Sequence, residues 1–277
     1  MMEQGLGPRI GRFCYLGLCA AVFAFLVAPI LVIVPLSFNA EPYFTFTEGM
    51  LRLDPEAYSL RWYRQIVEED AWTRALANSL IIGAASTALA TALGTLASLG
   101  LSSAAMPARR LAMGLLISPM VTPVIISAAG MFFFYSSLGL AQSYFGLILA
   151  HAALGTPFVV ITVTATLSAF DANLTRAAAS LGAGPLRTFR SVQLPLIAPG
   201  VVSGALFAFA TSFDEVVVVL FMAGVEQRTI PRQMWAGIRE QISPTILAVA
   251  TFLIVFAVLL LFVVEWLRRR SSAGAAA

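Results

Sequence analysis

Two adjacent carboxylates, Asp214 and Glu215, lie inside a strongly apolar stretch. At membrane depth an aspartate costs about 2.5–3.5 kcal/mol on insertion scales, so such groups mark a pathway for a polar solute or an internal pair. Asp214 shares a helical face with Phe207 and Thr211. A carboxylate there offers negative charge to a cationic solute, and Phe207 adds cation–π attraction. Adjacent helical residues diverge by about 100°, so Glu215 joins the same path only where the helix is irregular. A structural reading stands beside this one. Ser212 and Glu215 have the spacing of a capping box, with Ser212 as the cap at a helix break and Glu215 closing it. Broken helices are tolerated in membranes where they line a cavity, so the two readings are compatible.

Other chemistries lack their residues. All 17 basic residues are arginine. A nucleotide-binding Walker loop needs a lysine on the phosphates, so any ATP hydrolysis belongs to another chain. Neither ATP and Mg nor another cofactor is expected in this one. A single His151 makes a histidine-based metal site untenable. Cys14 and Cys19, five residues apart on one apolar segment, read as buried thiols rather than a disulfide or metal pair. No Ser/His or metal constellation falls in the apolar stretches. No catalytic residue is therefore expected, and nothing points to nucleic acid.

These residues sit in a chain that is 59% hydrophobic and 11% charged, whereas soluble domains carry about 25% charge. The fold expected is all-α and polytopic. Six apolar segments are long enough to span, given that about 20 residues are needed. They run over 13–38, 73–101, 111–138, 143–167, 200–222 and 245–267. The first has a basic start like a signal peptide, but its apolar run is too long and no small-x-small cleavage site follows. It reads as an anchor. Arg9 and Arg12, Arg109 and Arg110, Arg176, Arg187 and Arg190, and Arg268, Arg269 and Arg270 alternate onto one side, expected to be cytoplasmic with both termini. The opposite side receives an acidic loop with Glu41, Glu48, Asp54, Glu56, Glu68, Glu69 and Asp70.

The organisation expected is an anchor and outer loop (1–70), a core (71–267) and a tail (268–277). Two outer stretches have helical amphipathic spacing: Leu60, Tyr63, Ile66 and Val67, then Met234, Trp235, Ile238 and Ile242. Both suit the headgroup level and read as lids or as a docking surface for a delivery protein. Pro119 and Pro123, within the third segment, read as kinks.

The loop over 170–199 is distinctive. Ala, Arg and Leu favour a short helix over 175–181. Gly182 ends it in a left-handed cap, and Pro185 suits the first turn of a second helix. Leu186, Phe189 and Val192 form an apolar ridge on that second helix, which Pro195 is expected to close. The order Ala177-Ala178, three residues, Gly182, nine residues, Val192, one residue, Leu194-Pro195 resembles the cytoplasmic loop of binding-protein-dependent ABC importer permeases. Arg176 stands where that family carries glutamate. Asn78-Ser79, Pro119 and Pro123, the run Ser212 to Glu215, Ile230-Pro231 and Met234-Trp235 are similar to the spermidine/putrescine branch.

The resemblance implies a type I ABC importer permease fold in a bacterial inner membrane. It implies an ATPase dimer that holds ATP and Mg, and docking of the segment from Pro185 to Val192 on that ATPase. A second homologous permease, forming a heterodimer, and a periplasmic substrate-binding protein would complete the importer. A polyamine or related small cation is the cargo expected; iron(III), phosphonate, opine or amino acid are the alternatives. A stand-alone secondary transporter would need its own coupling-ion site, which only Asp214 and Glu215 could supply.

Overall fold

The computed structural model describes residues 6–103, 105–240 and 243–274, with side chains over 11–103, 105–239, 243–259 and 261–262. It is helical, with no β-strand among the described residues. Thirteen α-helices follow in order among the described residues: α1 (Leu6–Leu36), α2 (Glu48–Leu51), α3 (Arg61–Glu68), α4 (Asp70–Ser102), α5 (Arg109–Val121), α6 (Val124–Ser137), α7 (Tyr144–Ser168), α8 (Ala172–Ser180), α9 (Pro185–Thr188), α10 (Leu194–Asp214), α11 (Val217–Met222), α12 (Ile230–Glu240) and α13 (Thr245–Gly274). The chain divides into two compact units, Met1–Glu69 with Gly237–Leu267, and Asp70–Ala236 with Arg268–Ala277.

In the first unit, α1 is an apolar rod. Over Gly11–Leu36, where its side chains are described, it has a mean hydropathy of 2.8 and its apolar stretch is not buried against the chain. Cys14 and Cys19 are therefore exposed and unpaired, not buried as expected; the segment offers them no packing partner. After α1 the segment up to α3 is a folded cap. Asn39 donates from Nδ2 to the carbonyls of Tyr43 (3.2 Å) and Thr45 (3.1 Å). The Trp62 indole N–H reaches the Asn39 carbonyl at 2.8 Å, and Ser37 Oγ lies 2.6 Å from the Tyr63 hydroxyl. Thr45 and Tyr63 are thus fixed to the end of α1, and α3 carries the first of the two amphipathic stretches. The second stretch falls on α12, with Ile242 outside the described residues.

The second unit is built on three long helices, α4, α7 and α10. Lipid tails are as apolar as leucine, so helices in a bilayer associate by close packing and hydrogen bonds rather than by hydrophobic burial. The sequence supplies the close packing by leaving side chains out. A Cβ on Gly204 of α10 would lie 2.5 Å from Thr162 Oγ1 and 2.8 Å from Val159 Cα of α7. One on Gly94 of α4 would lie 2.6 Å from Val159 Cβ, and one on Gly155 of α7 would lie 3.0 Å from Ala208 Cβ. Gly200, Gly204, Ala208 and Ser212 form the buried stripe of α10.

Two expected spans differ in the structure. The third is not one helix: α5 and α6 meet at a bend of 104°. Pro123 has no N–H to continue α5 and holds Thr122 in extended backbone (ψ 132°), so the chain restarts as a new helix. The fifth begins earlier than expected and stops earlier. A continuous helix covers Pro185–Asp214, and the chain breaks at Glu215 before α11. By length and composition four described helices can cross a membrane, or five if the bent pair is one span; the described apolar part of α13, Thr245–Leu259, is shorter.

The glycine contacts make a direct prediction. Gly204→Val forces α10 off α7 and costs about 1–3 kcal/mol, the range for overpacking a tight core. It should lower membrane yield and the thermal midpoint of the solubilised protein. Gly17→Val on α1, where a Cβ meets nothing within 4 Å, should change neither.

Candidate functional site

The site is built at both ends of the continuous helix. At its start lies the distinctive loop. Asp171 caps α8 by accepting the Asn173 N–H at 2.9 Å. The end of α8 is a Schellman cap: Gly182 has φ +82°, the Gly182 N–H reaches the Ala179 carbonyl at 2.9 Å, and the Ala183 N–H reaches the Ala178 carbonyl at 3.0 Å. Pro185 then opens α9 at its first position. Ala177 and Ala178 thus belong to α8, with Ala177 exposed and the Arg176 guanidinium donating within its own helix, to Asn173 Oδ1 at 3.4 Å.

Pro195 does not close the second helix. Phe189–Gln193 forms a wide π turn, in which the Leu194 N–H reaches back to the Phe189 carbonyl. A proline inside an α-helix removes one donor and crowds the carbonyl four residues earlier; the wider turn gives that carbonyl room and lets the helix run on. Phe189 turns inward and packs with Leu194 against the buried cluster around Ile197 and Val159. Val192 is half-buried. The exposed apolar groups of the loop are Leu181 (88%) and Leu186 (63%). Leu186, Arg187 and Arg190 border an open groove of about 480 Å³. The expected ridge is therefore split: Leu186 faces out and Phe189 faces in.

At the other end of the helix, Phe207, Thr211 and Asp214 follow one another at helical spacing along the flank of the buried stripe, with Asp214 turned away from Ser212. Phe207 is 55% exposed and stacks on Phe158 of α7 at 6.2 Å, and Asp214 is exposed on the chain. The Asp214 carboxylate has no hydrogen-bond partner among the described residues. Glu215 leaves this face. It takes extended backbone (ψ 118°), and its Oε1 accepts the Val218 N–H at 2.8 Å. The cap at the break is thus Glu215, not Ser212.

Ser212 instead points into the bundle. Its Oγ lies 3.0 Å from Ser86 Oγ of α4 and 2.7 Å from His151 Nδ1 of α7. Sequence reasoning set His151 aside as a poor metal ligand and missed this partnership, because the partners are 126 and 61 positions away from Ser212.

The short helix α11 is held at both ends by ionisable side chains. Glu215 sits at its amino end, where a carboxylate suits the helix dipole. At its carboxyl end Arg232 Nη1 donates to the carbonyls of Ala223 (2.7 Å) and Gly224 (3.1 Å). Burial and the neighbouring Arg228 lower the Arg232 pKa from its ordinary value. The loop between α11 and α12 is fastened to the start of α4. Asn78 donates to the carbonyls of Glu226 (2.8 Å) and Arg228 (2.9 Å), and Ser79 Oγ accepts the Ile230 N–H at 2.9 Å. The pair Asn78-Ser79 and the pair Ile230-Pro231, separate in the sequence, are one junction.

An apolar helical bundle, with a folded loop at one end of its central helix and a carboxylate at the other, defines a membrane translocation subunit. The chain belongs to the family described as the binding-protein-dependent transport system inner membrane component, which it matches over residues 90–273. It is 30% identical to the spermidine/putrescine transport system permease protein PotC of Haemophilus influenzae, over 91% of this chain and 95% of that one. It is 30% identical to the putrescine transport system permease protein PotI of Escherichia coli, over 84% and 82%. Its fold matches a chain in the crystal structure of a bacterial ABC transporter involved in the import of the acidic polysaccharide alginate, with a TM-score of 0.75, 15% identity, and coverage of 96% and 99%. The chain is thus a multi-pass membrane permease component of an ABC importer.

The bracket around α11 sets an expectation for stability. Glu215→Gln keeps an acceptor oxygen for the Val218 N–H and should be nearly neutral. Glu215→Leu and Arg232→Leu should each cost about 1–2 kcal/mol, as for a lost cap, read as a lower thermal midpoint in detergent.

Proposed function

We propose that this chain forms half of the pathway through which an ABC importer moves a polyamine or a related small cation. One observation carries the reading: the single helix that begins at the loop ends on an exposed face bearing Phe207, Thr211 and Asp214. A polyamine entering a bilayer about 30 Å thick loses hydration at each charge unless an opposing charge or dipole takes the place of water. Asp214 supplies that charge, and Phe207 supplies a ring face. The names of the PotC and PotI relatives support the cargo class. The alginate importer shows that this fold alone does not set the cargo's charge.

The face is open on one chain, so a second homologous permease closes the path. A heterodimer fits the polyamine branch. ATP and Mg act on a separate ATPase dimer. It docks on the loop over 170–199 through the exposed Leu181 and Leu186 and the cations Arg187 and Arg190, with Ala177, Ala178 and Gly182 shaping the first turn. A periplasmic binding protein delivers the cargo. Six spans, cytoplasmic termini and a bacterial inner membrane complete the arrangement, in which 1–70 serves as anchor and outer cap, 71–267 as core and 268–277 as tail.

Two measurements test this. Asp214→Asn keeps shape and hydrogen bonding while removing charge. It should slow spermidine uptake by the assembled importer by about tenfold or more, the effect of about 1.4 kcal/mol on a rate, with basal ATPase activity near wild type. Asp214→Glu should recover part of it. Full uptake by Asp214→Asn would remove Asp214 from the path. Separately, Leu186→Asp should leave the chain inserted while weakening ATPase copurification and uptake together. Normal copurification would place the contact elsewhere on the loop.

A further inference from the structure

The stripe that packs α10 against its neighbours is smooth along most of its length. Gly200, Gly204 and Ala208 fix how closely the helices approach, but they have no polar group to fix how α10 is rotated about its axis. Ser212 is the next residue of that stripe and the first with a directional contact to both neighbours. It lies two residues before Asp214, on the opposite face of the last turn. Rotation of that turn would swing Asp214 directly.

The cluster around Ser212 is buried and internally consistent. His151 is 1% exposed, Ser86 1% and Ser212 5%. His151 Nε2 has no partner among the described residues. If Ser212 donated to Nδ1, Nε2 would carry a buried, unpaired N–H, which folded proteins rarely tolerate. Nδ1–H is therefore the donor, 2.7 Å from Ser212 Oγ. Ser212 Oγ then accepts from both neighbours, from His151 Nδ1–H and from the Ser86 hydroxyl at 3.0 Å, and that hydroxyl also lies 3.2 Å from the Gly83 carbonyl. The chain of bonds runs from α7 through α10 to α4.

The geometry points to His151 as a positioning residue for transport: through Ser212 it sets the rotation of the last turn of α10 and so the direction of Asp214. His151 touches no substrate. The inference rests on the reading of Asp214 given above, and it adds a residue outside the pathway on which that carboxylate depends.

The test is uptake of labelled spermidine by the assembled importer, normalised to inserted protein. His151→Phe fills the space without a donor, and Ser212→Ala removes the hydroxyl. Both should lower the maximal uptake rate about tenfold to a hundredfold, the scale of misplacing one reacting group by an ångström. Half-saturating spermidine and ATPase copurification should not change. His151→Asn, whose amide N–H takes the place of Nδ1–H, should recover at least about half of the rate, since the single donor is what the role requires. Combined with Asp214→Asn, His151→Phe should add little further loss, because both act through one group. Full uptake by His151→Phe beside slow Asp214→Asn would overturn the positioning role alone, as would losses that multiply. A silent Asp214→Asn would overturn the underlying reading instead. If His151→Phe and Ser212→Ala reduce only yield, and the inserted protein turns over at the wild-type rate, the cluster is structural and the inference fails.

Discussion

The bundle depends on backbone touching backbone. Where α10 crosses α7, Gly204 leaves no room for even a methyl group against Val159 and Thr162. In a bilayer nothing squeezes helices together as water does in a soluble core, so such contacts and a few interhelical hydrogen bonds hold the bundle. Everything positioned in the second unit inherits this constraint. Gly94 and Gly155 repeat it on α4 and α7, so three long helices are locked into one block. That block is the frame from which the loop hangs and on which Asp214 is displayed.

Its most consequential feature is a helix that does not stop where proline would suggest. The segment expected to dock on an ATPase is the beginning of the helix that ends in Asp214. At 1.5 Å per residue its 30 residues reach about 45 Å. In the proposed importer, a push on the loop would reach the far end as rotation or tilt of this one helix. Beyond Asp214 the mechanical continuity ends. Glu215 starts a new helix, and Arg232 and the Asn78 junction tie that helix and its loop to the amino end of α4. One end of the break is tied to the loop and the other to the amino end of α4.

Much of this was legible in the sequence because it is local. Gly182 and Pro185 announce their turn and helix start through backbone preference, and the Asp214 face follows from helical spacing alone. What was not legible depends on distance or on phase. A π turn upsets the 3.6-residue period beyond Phe189, so Val192 could not be counted onto the face of Leu186 and Phe189; that Phe189 turns inward is decided by its packing on the cluster around Ile197. Pro123 marks a boundary, but the size of the bend is set by packing of the following helix. Ser212 looked like a cap because Glu215 follows at the right interval; its true partners, Ser86 and His151, come from helices far away in the chain. Cys14 and Cys19 were expected inside because thiols usually are, yet no described side chain of their own unit covers them.

The claim that the loop and Asp214 move as one body can be tested by distance. Arg187 and Ala210 are both exposed on the continuous helix and lie about 35 Å apart at helical rise. Spin labels on Arg187→Cys and Ala210→Cys, in a chain with Cys14→Ser and Cys19→Ser, report that separation in the assembled importer by pulsed electron resonance. A rigid lever predicts the same distance, within about 1–2 Å, with nucleotide absent and with ATP trapped. A change of about 5 Å or more, a full helical turn, would mean that the helix bends or slips at its π turn, and would contradict direct transmission from loop to carboxylate.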